Sequence, residues 1–138
     1  MANRLQEKIA VSDYLMPLPF QVTDVPDGSV IAKAIQLASD EYVMNYDGCV
    51  MGASVRHNAD LTGGTITWQV RINGVAQTAL SLVTDDTHQQ AYGNLAADVI
   101  PFKAGDRVGL GATKTGTVAP ITTDVAAIVN VLYEDVGL

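Results

Sequence analysis

Apolar residues recur at every second position through Thr65-Ile66-Thr67-Trp68-Gln69-Val70-Arg71-Ile72: Ile66, Trp68, Val70 and Ile72 share one side, and Thr65, Thr67, Gln69 and Arg71 the other. A period of two predicts a strand half-buried against a core, because successive strand side chains point to opposite faces. Asn73-Gly74 follows at once, and an apolar-rich run resumes from Val75 to Val83. Both central residues of a type I′ turn need positive φ, which Asn and Gly tolerate, so this pair predicts a hairpin. Upstream, Cys49 to Arg56 predicts another strand, closed by the loop Asp60-Leu61-Thr62-Gly63-Gly64; the three runs together predict a meander.

The same punctuation continues in both directions. Val25-Pro26-Asp27-Gly28-Ser29 predicts a chain reversal, with Pro26 presetting φ and Gly28 free to take positive φ. Val30 to Ala38 alternates imperfectly and reads as a strand, with a helix as the competing reading because of its alanines. Asp85 to Gln90 reads as a polar loop or edge, and Lys103-Ala104-Gly105-Asp106 as a tight turn. Arg107 to Thr113 alternates again, and Lys114 to Thr123 reads as a loop. Strand-length runs separated by such turns predict an all-β antiparallel sandwich.

The last run is unusual. Asp124 to Tyr133 has Ala127, Val129, Val131 and Tyr133 on one side and Ala126, Ile128 and Leu132 on the other, so both faces are apolar. A sandwich strand needs one apolar face only, and the second face calls for a cover. The arm of this chain or the sheet of another copy would supply it; a strand buried centrally in its own fold is the alternative.

Residues 1–19 differ in character from the rest of the chain. Arg4, Glu7, Lys8 and Asp13 are mixed with Leu5, Ile9 and Val11, and Pro17 and Pro19 bracket Leu18. Leu5 and Ile9, at i and i+4, lie on one side of a possible helical turn, while the prolines favour extended chain. The segment reads as an N-terminal arm that packs on a neighbouring surface, with a frayed end or a first edge strand as alternatives. Residues 20–138 then form the β domain.

Composition narrows the function more than it names it. A chain of 138 residues suits one domain and buries enough surface to fold without staples. Cys49, the only cysteine, can form no internal disulfide and reads as an inert core thiol. A net charge of −7 argues against direct binding of nucleic acid, whose phosphates call for clustered bases. The first residues lack the apolar stretch of a secretory signal, and no run of eighteen apolar residues would span a membrane. A soluble protein is expected.

Catalytic and metal chemistry finds little to work with. His57 and His88 are the only histidines, neither accompanied by a nucleophile motif, and both read as surface residues at strand ends. No His-x-x-x-His, cysteine pair or calcium loop occurs, and no cofactor motif does either. Trp68 falls on the apolar side of its strand and reads as core. Tyr14, Tyr42, Tyr46, Tyr92 and Tyr133 remain as a conceivable shallow platform for a sugar.

One set of phrases resembles a known family. Gly48-Cys-Val-Met-Gly-Ala-Ser-Val-Arg56, Gly64-Thr-Ile-Thr-Trp-Gln-Val-Arg-Ile-Asn-Gly74, Phe102-Lys-Ala-Gly-Asp-Arg-Val-Gly109 and the apolar last strand together look like the small jelly-roll structural proteins of tailed bacteriophages. The phrase Phe-x-Ala-Gly-Asp-x-Val is also similar to jelly rolls such as the C1q and tumour-necrosis-factor-like trimer heads. The resemblance spans about residues 20–135 and implies an antiparallel jelly-roll sandwich without an active site. It implies a capsid decoration, or cement, protein: a homotrimer on the exterior of the virion, bound to the major capsid protein and made in the host cytoplasm. The interface residues expected on this basis are Leu5, Ile9, Tyr14, Leu15 and Met16 in the arm and Ile128, Leu132 and Tyr133 in the last strand. A receptor- or carbohydrate-binding head, using the loops Asp85 to Gln90 and Lys114 to Thr123, is the alternative.

Overall fold

A computed structural model describes residues 14–24, 33–34, 41–120 and 122–134. Among them ten strands occur and no helix: β1 (Tyr14–Val22), β2 (Lys33–Ala34), β3 (Glu41–Val43), β4 (Gly48–His57), β5 (Gly63–Ile72), β6 (Val75–Thr84), β7 (Gln90–Asn94), β8 (Pro101–Phe102), β9 (Arg107–Ala119) and β10 (Val125–Tyr133). They form two antiparallel sheets packed as a jelly-roll-like sandwich. One sheet runs β2-β1-β10-β4-β7, with β8 also paired to β4; the other runs β3-β9-β5-β6.

The hairpin forms as its turn chemistry requires. Asn73 and Gly74 have φ of 51° and 82° and join β5 to β6. Ile66, Trp68 and Val70 on β5 are buried, alongside Leu80 and Leu82 of β6 and Val108 and Leu110 of β9, on the inner face of one sheet. The opposite sheet contributes Leu18, Phe20, Val50, Val55, Val129 and Val131 to the same core. Tyr42 bridges the two layers: its hydroxyl donates to the Pro19 carbonyl at 2.6 Å, and its ring meets Phe20 edge-on with centroids 5.3 Å apart.

Several sequence expectations change here. The meander does not form, because β4 belongs to one sheet and β5 to the other; the loop between them, with Leu61 buried, carries the chain across the sandwich. Alternation within a strand says which residues face a core but not which partner strand lies alongside. The segment Lys114 to Ala119, read as loop, extends β9 along β5, where Thr65 pairs with Thr115 and Gly63 with Ala119. Its threonines look outward and so lack the apolar signal of the first half. Of Val30 to Ala38, only Lys33–Ala34 lies among the described residues, as strand.

The boundary of the arm also moves. Residues 14–19, assigned to the arm, are in β1, paired along their length with β10 from Tyr14↔Tyr133 to Val22↔Val125. Pro17 and Pro19, which have no N–H to give, fit a strand whose other side meets, among the described residues, only the pairs Phe20↔Ala34 and Gln21↔Lys33. Leu5, Ile9 and the rest of residues 1–13 lie outside the described residues.

Candidate assembly surface

Strand parity sorts the residues of β10. Val125, Ala127, Val129, Val131 and Tyr133 are buried, whereas Ala126 and Ile128 are exposed and Asn130 and Leu132 half-buried. The second apolar side of this strand therefore faces away from the core of its own chain, on the outside of the larger sheet. Register extends that surface in rows across four strands: Leu15 beside Leu132; Pro17 beside Asn130, Gly52 and Asn94; Pro19 beside Ile128, Ser54 and Tyr92; Gln21 beside Ala126, Arg56 and Gln90.

Large apolar side chains stand open on this face beside the exposed Gln21, Arg56, Gln90 and Asn94. Leu15 is 58% exposed, Ile128 42% and Tyr92 78%. Arg56 is the only Asp, Glu, Lys or Arg in β1, β4, β7 and β10, and its Nη1 donates to Gln90 Oε1 at 2.6 Å. The outside of the smaller sheet presents Thr65, Thr67, Gln69, Ser81 and Thr113 in hydroxyl- and amide-bearing rows, with the exposed Val43, Val75 and Val83 on its outer strands. The larger sheet is distinguished by the shortage of charge in β1, β4, β7 and β10, whereas the smaller sheet carries Glu41, Arg71, Arg107 and Lys114 in its strands.

A groove of about 340 Å³ crosses the larger face, lined by Ser54, Arg56, Gln90, Tyr92, Ala126 and Ile128. Ser54 is small and stands between the larger Tyr92 and Ile128, and Ala126 is small in the next row. A second hollow of about 440 Å³ continues from Arg56 and Ala126 to the end of the sheet, where Gln21, Thr23, Asn58 and Asp124 line it. Asn58 and Asp124 are engaged with each other: the Asp124 amide donates to Asn58 Oδ1 at 2.9 Å, and the Asn58 amide to the Asp124 carbonyl at 3.0 Å.

Of the expected interface residues, the structure brings Leu15, Ile128 and Leu132 onto this one face. Met16 is half-buried and packs against the core, and Tyr133 is 4% exposed within it. Both occupy inward positions of their strands, so neither offers an outer contact. For Tyr14 the backbone register with Tyr133 is described. Tyr92, at 78% exposure, and Arg56, the one Asp, Glu, Lys or Arg of β1, β4, β7 and β10, were not among the expected interface residues; β2 adds Lys33 to the same sheet, in register with Gln21. Alternation through Gln90-Ala91-Tyr92-Gly93-Asn94 is too short to signal a strand, so Tyr92 stood only as one tyrosine among five. Among the described side chains Tyr42, Tyr46, Tyr92 and Tyr133 form no common platform: Tyr42 packs on Phe20, and Tyr46 meets the buried Tyr133 edge-on with centroids 5.4 Å apart.

The histidines also sort differently from expectation. His88 is exposed and joins Asp85 Oδ1 at 2.9 Å in a tight turn, which with the Thr87 bonds holds the Asp85 carboxyl down to about 2. His57, read as a surface residue, is completely buried. It is the last residue of β4 and takes an inward position, with Nε2 2.7 Å from Thr84 Oγ1, and burial pushes its pKa below the usual value. Cys49 is buried as expected, its thiol pKa raised mainly by burial. Folding also brings the Asp98 and Glu134 carboxylates within 4.8 Å of its sulfur, a grouping separated by dozens of residues in the chain. Burial and the two negative charges keep the proton on sulfur.

No protein-family model matches the chain, and no curated protein matches it.

Proposed function

We propose that this chain is a non-enzymatic structural protein of a phage virion, a capsid decoration protein. In this reading it trimerises through the outer face of its larger sheet and grips the major capsid protein with its N-terminal segment and β domain. The observation that carries the reading is that face: Leu15, Ile128 and Tyr92 lie open, and β1, β4, β7 and β10 together hold a single residue of the acidic and basic types, Arg56. Leaving such a patch in water forfeits apolar burial of roughly 25 cal/mol per Å², and a second protein surface recovers it. Chains of net charge −7 repel one another, and a contact face without carboxylates keeps that repulsion at a distance. Many such contacts repeated over a shell stabilise it by avidity, with no reaction required.

The reading is tested by light scattering on the full chain after size exclusion, together with co-sedimentation on phage shells that lack a decoration layer. A trimer that binds shells and raises their thermal resistance is expected. A monomer indifferent to shells would remove the proposal.

A binding head is a second reading, favoured by one arrangement: the Tyr92 ring stands open beside Ser54, Gln90 and Arg56, an aromatic surface next to hydrogen-bonding groups. Retention on a glycan array by the isolated protein, lost in Tyr92→Ala, would favour it.

A further inference from the structure

Asn73 is the only asparagine of the chain that precedes a glycine; the others precede Arg4, Tyr46, Ala59, Leu95 and Val131. A glycine leaves its backbone nitrogen without a side chain beside it, so attack of the Gly74 nitrogen on Asn73 Cγ is the least hindered of the six. Asn73 and Gly74 are exposed at the tip of the β5–β6 hairpin, and a Cβ added at Gly74 would meet only Arg71 Nη2, at 4.0 Å. Water therefore reaches the turn.

The fold opposes this reactivity. Asn73 Oδ1 accepts from the Arg107 amide at 2.9 Å, and Asn73 Nδ2 donates to Asp106 Oδ1 at 3.1 Å. The Asn73 backbone amide donates to the Arg107 carbonyl at 2.8 Å, so the residue is tied three times to the start of β9. Asp106 is fixed in turn, because its Oδ2 accepts from the Lys103 amide at 2.8 Å. A side-chain amide held at both its oxygen and its nitrogen cannot turn its carbon onto the Gly74 nitrogen without giving up both bonds.

We infer that Asn73 is a site of spontaneous deamidation, held closed by the corner it forms with Asp106 and Arg107, and that conversion there destabilises the corner that protected it. In the first step the Gly74 nitrogen bonds to Asn73 Cγ, the Cγ–Nδ2 bond breaks, and the Gly74 amide proton leaves with Nδ2 as ammonia. Water then opens the cyclic imide at either of its carbonyls, giving aspartate or its β-linked isomer. In the aspartate, a carboxylate oxygen stands where Nδ2 donated to Asp106, so an attraction across 3.1 Å becomes a contact of like charges. The isomer lengthens the backbone inside a turn whose two residues are set at φ of 51° and 82°. Ammonia is lost to solvent, so the change outlasts the opening that allowed it, and the corner keeps a chemical record of local unfolding.

Peptide mapping by mass spectrometry tests this on the full chain, incubated in buffer and in concentrated urea. Conversion at Asn73 is expected on the order of tenfold faster in urea, the scale set by the two side-chain bonds released. Asp106→Ala in buffer, shown folded by circular dichroism, should convert at a rate between the two. Equal rates in buffer and urea, or a folded Asp106→Ala no faster than wild type, would overturn the protection. Should Asp106→Ala fail to fold, Asp106→Asn replaces it, since it keeps an acceptor for the Lys103 amide and presents an amide to Asn73. The effect of the product is read separately from urea midpoints. Asn73→Asp should lower the midpoint, and the exchange N73D/D106N, which returns one donor and one acceptor to the pair, should recover most of the loss. An unchanged midpoint in Asn73→Asp, or no recovery in the exchange, would overturn the destabilising role.

Discussion

His57 Nε2 lies 2.7 Å from the hydroxyl of Thr84, so a strand of one sheet is tied to a strand of the other by a polar contact sealed inside the core. The same hydroxyl accepts from Trp68 Nε1 at 3.2 Å, while His57 Nδ1 has no hydrogen-bond partner. A neutral imidazole tolerates this, since one ring nitrogen can remain a bare acceptor; an imidazolium would bury a charge and an unmatched N–H. The folded pKa is accordingly depressed below the ordinary 6.5, and the unfolded chain takes up the extra proton first. The contribution is full above that unfolded value and declines as pH falls below it. Urea midpoints measured from about pH 8 down to about pH 5 should fall, and His57→Gln should flatten this part of the curve; an unchanged slope would contradict the assignment.

Asp85 acts in a separate window. Its carboxyl is held at about 2 by His88 first and then by the amide and hydroxyl of Thr87. A depressed carboxylate stabilises the fold above its unfolded value and loses that contribution as pH falls through about 2. Carboxyl shifts followed by NMR should show Asp85 titrating at about 2 in wild type and higher after His88→Ala.

Gly48 and Gly93 should respond differently to the same methyl group. A Cβ at Gly48 would collide with the Leu132 carbonyl, backbone fixed by the β4–β10 ladder, and would also reach the Phe102 ring. At Gly93 it would meet Leu80 Cδ1 at 2.7 Å, the movable end of a side chain. Gly48→Ala is expected to cost about 3 kcal/mol and Gly93→Ala about 1 kcal/mol, by analogy with overpacked cores. Denaturant melts of the two variants provide the comparison, and equal losses would contradict it.

Ile128→Asp should dissociate copies while leaving the fold intact, because Ile128 points outward between inward-facing Ala127 and Val129. Val83→Asp, equally exposed on the smaller sheet, is the control and should leave the oligomeric state unchanged. Light scattering and circular dichroism on both variants separate loss of contact from loss of structure. Equal effects of the two would deny the larger sheet its special role.

Deleting residues 2–12 should abolish shell binding with little change in thermal midpoint, since β1 begins at Tyr14 and its whole ladder with β10 remains. A longer cut through residue 19 should instead unfold the domain, because it strips Leu18 from the core and most of the pairing from β10. Retained shell binding in the shorter deletion would remove the N-terminal segment from the proposed mechanism.

Local chemistry was enough to read the strands themselves. The alternation around Trp68, the Asn73-Gly74 turn and the two-sided apolar run from Val125 to Tyr133 all depend on residues within a few positions of one another, and period-two patterning or positive φ acts at that range. What lay beyond it was decided by pairing across the chain. Period two is the same whichever neighbour a strand has, so β4 could not be told from a partner of β5, nor β1 from a free arm before its ladder with β10 was in place. With both sides of β10 apolar, only the packing of the sandwich could choose Tyr133 for the core and Ile128 for the outer face. His57 is the same lesson at one residue: a polar side chain at a strand end reads as exposed until folding brings Thr84 and Trp68 around it, because desolvation and hydrogen bonding are properties of the assembled neighbourhood and not of the residue.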